Sequence, residues 1–160
     1  MLVDEILEFL ETIGLPVRRA PIEGPTFLPG IRIEAGGLLV DPVALRYPGD
    51  LLHEAGHLAL MEPARRLSVS GDAGGDGGEE LGAIAWSYAA AVHIGLDPRV
   101  VFHCEGYRGG ADSIVENLLA GRYIGLPILQ WTGLALDERQ AREQGLPAYP
   151  HMLRWLRETG

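Results

Sequence analysis

His53 and His57 stand four residues apart in the run His53-Glu54-Ala55-Gly56-His57. On a helix, side chains at that spacing leave the same face one turn apart, so both imidazoles reach one cation. Glu54 follows the first histidine by about 100° of helical rotation, which sets its carboxylate beside a metal-activated water and off the metal itself. It is placed to act as a base. Zinc needs a third protein ligand, and a fourth position left to water separates a catalytic site from a closed structural one. An elongated motif with Gly at position 60 and His at 63 is excluded, because Leu60 and Pro63 stand there. Glu79 and Glu80 open the next apolar run, and a carboxylate from either completes a His2Glu set. Glu80 is the better placed, since its own helical face carries Ala83, Trp86 or Ser87, and Ala90, so the helix approaches closely through its small residues while Trp86 packs nearby.

The HEAGH run, a loop, and then Glu80-Leu81-Gly82-Ala83-Ile84-Ala85-Trp86-Ser87 resemble the HExGH…ExxAxxFA pattern of small gluzincin-type zincins, the ImmA/IrrE-like metallopeptidases among them. The resemblance covers roughly residues 48 to 90. It implies that His53 and His57 bind zinc, that Glu54 is the general base and that Glu80 is the third ligand. It also implies an N-terminal helix and a small sheet whose edge strand pairs with an extended substrate. The chain departs from the pattern at Ile84, where thermolysin-type members carry an acid and ImmA-like ones often Asn. A partner for a zinc histidine is therefore missing at that position, and Asp41 or Asp50 is the substitute.

Residues 102 to 110, Phe-His-Cys-Glu-Gly-Tyr-Arg-Gly-Gly, combine reactive side chains with glycines that let a backbone approach a ligand. Tyr107 or His103 in this segment is the candidate donor to the oxyanion of a tetrahedral intermediate. Cys104 is adjacent to His103, a relation that seldom presents a nucleophile to its base, and it reads as a small buried hydrophobe. His93 reads as a satisfied core or surface histidine and not as a ligand, lying over three turns from Glu80. Trp86, Trp131 and Trp155 read as core.

Several elements must position these groups. Leu2, Ile6, Leu10 and Ile13 recur at helical spacing before Gly14 and Pro16, predicting an amphipathic first helix. Ile31 to Glu34 and Leu38 to Asp41 flank Ala35-Gly36-Gly37 and predict a hairpin. Leu51 to Met61 is the motif helix, with Asp50 as its N-cap. Ser70 to Gly78 holds five glycines and predicts a surface loop, without a strand-to-helix GKS/T signature for phosphate. The Ala-rich run from Glu79 to Ile94, stopped by Gly95, predicts a long central helix. Further helices are expected at Asp97 to Phe102, Ala111 to Ala120, Asp137 to Gln144 and Pro150 to Glu158.

The 160 residues are the length of one ordinary domain, and 47% hydrophobic with 22% charged residues is a globular composition. The reading is a single α+β domain over residues 1 to 160, mostly helical with a small sheet, its zincin-like character following from the resemblance. A formal charge of −9 argues against a nucleic-acid partner, which draws on clustered Lys and Arg. Cys104 is the only cysteine, so no intrachain disulfide forms and a cytoplasmic location is expected. The acidic start Met-Leu-Val-Asp-Glu does not read as an export signal, and the run Leu81 to Leu96, with Ser87, Tyr88 and His93, is short and polar for a membrane span. Together these readings point to a zinc-dependent hydrolase, a small metallopeptidase acting on a peptide or protein substrate. The rival is a metal-bound domain of regulatory or sensory type that turns nothing over.

Overall fold

The computed structural model describes residues 1–74 and 76–159. Its α+β architecture has, among the described residues, seven α-helices and one three-stranded mixed sheet. The first helix, α1 (Leu2–Thr12), buries Ile6, Leu7, Phe9 and Leu10 and leaves Asp4, Glu5 and Glu8 in solvent, as its 3.6-residue pattern requires.

The predicted hairpin is present as β2 (Ile31–Glu34) and β3 (Gly37–Val40), with Ile31 opposite Val40 and Glu34 opposite Gly37. Its two central residues, Ala35 and Gly36, have φ of 47° and 80°, the left-handed pair that matches the twist of the flanking strands. Gly36 is also required by proximity, since a Cβ there would lie 2.4 Å from the Arg66 carbonyl oxygen. A short β1 (Val17–Arg19), not anticipated from the sequence, adds parallel to β3 and makes β3 the central strand. All four residues of β3 are buried, the environment expected of a strand covered on both faces.

The motif helix is α2 (Asp50–Leu60). Gly49, not Asp50, is its N-cap, and no side chain bonds the cap. The reason is steric: a Cβ at Gly49 would fall 1.9 Å from the Val100 carbonyl oxygen, so the chain entering α2 is pressed against residues 100 and 101. The short α3 (Pro63–Ser68) leads to the glycine-rich loop and then to α4 (Gly77–Ile94), where Asp76 accepts the Glu79 backbone N–H at 2.8 Å and Gly95 closes the helix at φ 89°.

Helices α2 and α4 pack antiparallel, Leu60 lying against Gly82 and Gly56 against Ala83 and Trp86. The two glycines permit this approach. Trp86 is fully buried between the helices and α1, tilted against Phe9 and edge-on to Trp155, and donates its indole N–H to the Trp155 carbonyl at 2.9 Å.

The remaining helices are α5 (Ala111–Leu119), α6 (Leu126–Trp131) and α7 (Glu138–Gln144), the last opened by a reciprocal Asp137–Gln140 capping box. The helix expected at 97 to 102 is a single 3-10 turn, Pro98–Val100. None forms over 150 to 158, because the backbone there bonds elsewhere: Leu153 N–H to Leu134 at 2.8 Å and Arg157 N–H to Ala59 at 2.8 Å. Trp131 is not core. It is 76% exposed at the end of an amphipathic helix that turns Leu126 and Leu129 inward, and the Arg157 guanidinium lies over its ring at 4.9 Å. Cys104 is likewise exposed and not a buried hydrophobe, since it sits in the turn after Phe102 and His103, which take the inward positions. Among the described residues, no helix is long and apolar enough to cross a membrane.

Candidate metal centre

Along α2, residues 50, 53, 54 and 57 share one face by the i, i+3, i+4, i+7 rule. Asp50, Glu54 and His57 are buried there, and His53 is half-buried. The first turn of α4 faces them. His53 Nε2 and His57 Nε2 are 3.3 Å apart, His57 Nε2 is 2.9 Å from Glu80 Oε2, and His53 Nε2 is 3.2 Å from Glu80 Oε1. Glu79 is turned away into an ion pair with Arg65 at 2.9 Å, so the two adjacent acids have separate partners.

These separations fit a tetrahedral ion. With ligand bonds of about 2.0–2.1 Å, the edges of a coordination tetrahedron are about 3.3 Å. Two ring nitrogens that close, with a carboxylate against both, form a set of converging lone pairs. Nitrogen and oxygen donors of this kind suit zinc, and three protein ligands leave a fourth position. Gly56 makes the arrangement possible, because it lets the α4 backbone come near enough for Glu80 to reach both rings.

Glu54 lies beside the triad and takes no part in it. Burial raises its carboxyl above the ordinary range, the charges of Asp72 and Glu80 push the same way, and the two histidines oppose. Among the described residues it has no hydrogen-bond partner in the protein, and it lines the cavity that the triad opens on. Glu80 is held well below the usual carboxylate range by hydrogen bonds from His53 and His57. For His57, burial disfavours the charged ring, but the hydrogen bond and charge of Glu80 outweigh it and raise the pKa.

The segment after residue 100 closes the site from the other side. Tyr107 Oη is 3.0 Å from His53 Nδ1, and its ring stands edge-on to the histidine. His103 is not at the triad: its Nε2 is 2.7 Å from Asp50 Oδ1, with Tyr47 stacked on its ring at 3.9 Å. Burial, joined by the nearby charges of Asp50, Glu80 and Glu54, pushes the Tyr107 phenol far above its ordinary value, so it stays protonated. Tyr107 and Arg108 have φ of 58° and 52°, a conformation that costs on the order of 1–2 kcal/mol for each L-residue and persists only where contacts impose it.

The substitutes expected for the missing polar group at Ile84 lie elsewhere. Asp41 caps a turn, accepting the backbone N–H groups of Ile22, Val43 and Ala44. Asp50 is bonded to His103, a pairing the sequence reading missed, although the place of Asp50 on the His53 and His57 face was open to inspection. Tyr47 and Asp72 were also missed, and no local spacing signals them. The triad, Glu54, Asp50 and Tyr107 line one cavity of about 780 Å³ together with Phe27, Leu28 and Ile114. A second cavity of about 480 Å³, bounded by Ile128 and Trp131, shares His57 and Asp76 with it. The outer edge of β2 is engaged at Ile33, whose carbonyl accepts the Gly71 N–H at 2.8 Å. His93 is remote from the site and packs against Phe9 and Trp155.

Comparison with known proteins gives no relative: no family model matches the chain, and no curated protein or solved structure matches it.

Proposed function

We propose that the chain is a zincin-like, zinc-dependent hydrolase, a small metallopeptidase that acts on a peptide or protein substrate. The observation that carries this reading is the convergence of His53 Nε2, His57 Nε2 and the Glu80 carboxylate beside a second carboxylate, Glu54, that lines the same cavity. His53, His57 and Glu80 hold the ion. When bound, zinc supplies a Lewis acid that acidifies water near neutral pH and polarises a carbonyl oxygen.

The residues of the chain do the rest. Glu54 accepts the proton of the attacking water on a carboxylate oxygen, and the same oxygen then delivers it to the leaving amine. Burial favours this second step, because raising the carboxyl pKa makes the protonated acid less costly than it is for an exposed glutamate. Tyr107, protonated and lining the cavity, offers an O–H toward the position of a developing oxyanion. The two cavities share His57 and Asp76 in their walls, and their combined extent favours a polymer over a small molecule.

Glu54→Gln tests the proposal. It preserves shape but cannot take a proton at neutral pH. The variant should bind one zinc per chain, as wild type does, and lose cleavage of an unstructured peptide library, with a chelator controlling for contaminating proteases. Equal chelator-sensitive cleavage by both forms removes Glu54 from the chemistry. No cleavage by zinc-loaded wild type moves the assignment to the non-catalytic alternative.

A further inference from the structure

We propose that Tyr107 is the positioning residue of the metal ligand His53, and that the buried Asp50–His103 pair holds Tyr107 in that place. The inference rests on the metal-site reading and assigns to the segment after residue 100 the work that position 84 cannot do, Ile84 being a buried hydrocarbon. A histidine that gives its Nε2 lone pair to a metal carries its ring hydrogen on Nδ1. At His53, the atom facing Nδ1 is Tyr107 Oη, 3.0 Å away. The imidazole N–H therefore donates and the phenol oxygen accepts, which fixes the tautomer and the ring plane. A phenol oxygen accepts while keeping its own O–H to donate, so this role leaves that hydrogen free for the cavity.

The placement of Tyr107 is built, not incidental. Two bonds dock the segment on the metal face of α2: His103 to Asp50 at 2.7 Å and Tyr107 to His53 at 3.0 Å. Between them the chain folds tightly, the Gly106 N–H bonding the His103 carbonyl at 3.1 Å. Gly106 lies so near the His103 ring that a Cβ would stand 3.2 Å from Cε1. Tyr47 stacks on the outer face of that ring, and Phe102 packs on Tyr107 with ring centres 5.3 Å apart. The left-handed backbone of Tyr107 and Arg108 is kept by this docking. His103 Nδ1 is buried without a partner among the described residues, so Asp50 is its one hydrogen-bonded anchor.

The test measures metal affinity, not turnover. Tyr107→Phe removes one oxygen and keeps the ring, so packing on Phe102 and His53 is preserved. Competition with a chromogenic chelator should show zinc bound about 10–100-fold more weakly. In imidazole-selective nitrogen NMR of the zinc-loaded chain, the protected Nδ1 proton of His53 should disappear. Wild-type affinity with that proton still protected overturns the assignment. His103→Leu should weaken zinc on its own and add nothing in the Tyr107→Phe background, because it acts through the tyrosine. Full multiplication of the two effects overturns the part given to His103, while His103→Gln, which retains an N–H for Asp50, should restore affinity. If wild type binds no zinc, the metal-site reading has failed, an outcome distinct from any of these.

Discussion

Gly56→Ala tests whether the glycine in the motif sets the distance between the two helices that make the site. The added methyl would stand 3.0 Å from the Ala83 carbonyl oxygen and 3.3 Å from both Ala83 Cα and Trp86 Cε3. Two of these three neighbours are backbone atoms of α4, so relief comes from moving the helix. Ordinary contact begins near 3.4 Å, which asks for a displacement of about 0.4 Å. Overpacking of this kind costs about 1–3 kcal/mol, and replacing Gly by Ala inside a helix returns about 1 kcal/mol. The net loss is about 1 kcal/mol, or about 2–4 °C in Tm for a domain of this size. Metal binding is the sharper readout. Ligand distances tolerate only about 0.2 Å, and Glu80 moves with α4, so zinc should bind about tenfold more weakly, or about 1.4 kcal/mol. Gly82→Ala is the contrast: its methyl would meet Ile128 Cγ2 and Leu60 Cδ1, each at 2.7 Å, and Ile128 Cβ at 3.2 Å, side-chain atoms and not the backbone of α2. It should cost stability of about 1–3 kcal/mol and leave zinc affinity within about twofold. Thermal unfolding and chelator competition measure both variants. A Gly56→Ala protein with raised Tm and unchanged zinc affinity refutes the argument.

Two further outcomes follow from the geometry. Glu80→Ala should abolish stoichiometric zinc after dialysis against a mild chelator while Glu79→Ala keeps it, since Glu79 is paired with Arg65; metal loss in the Glu79 variant would move the third ligand by one residue. In metal-free protein the folded-state pKa of His57 is raised above its ordinary 6.5, so its stabilisation is present below about 6.5 and lost as pH rises through the raised value. Zinc binding has the opposite sign, because its ligands must be deprotonated. The Tm gap between zinc-saturated and chelator-treated protein should therefore widen from about pH 6 to pH 8, and a constant gap refutes the coupling.

Much of the site was legible because its core is local. His53, Glu54 and His57 lie within two turns of one helix, where spacing alone fixes relative direction. Glu80 was reachable by the same logic, since Ala83 and Ala90 mark the face of α4 that lies against another helix. The hairpin announced itself through its turn, α1 through its periodicity and stop signal, and α5 and α7 through the Gly and Pro punctuation around them.

Failures of the sequence reading share one cause. Residues 150 to 158 look helical by composition, yet their N–H groups find carbonyls at Leu134 and Ala59, and long-range bonds replace the local ladder. Trp131 was assigned to the core on residue type, but the face it occupies depends on how α6 sits against α4. Asp50 carries the side chain of a cap and instead bonds His103, more than fifty residues away. Sequence by itself determined which residues can ligate a metal and which helices present them, because a helix converts spacing into direction without outside help. Tertiary structure alone decided that Tyr107 meets His53, that Glu54 opens on the same cavity as the triad, and that Gly56 and Ala83 come into contact. Those are closures between distant segments, and their geometry is fixed by the packing of the whole core.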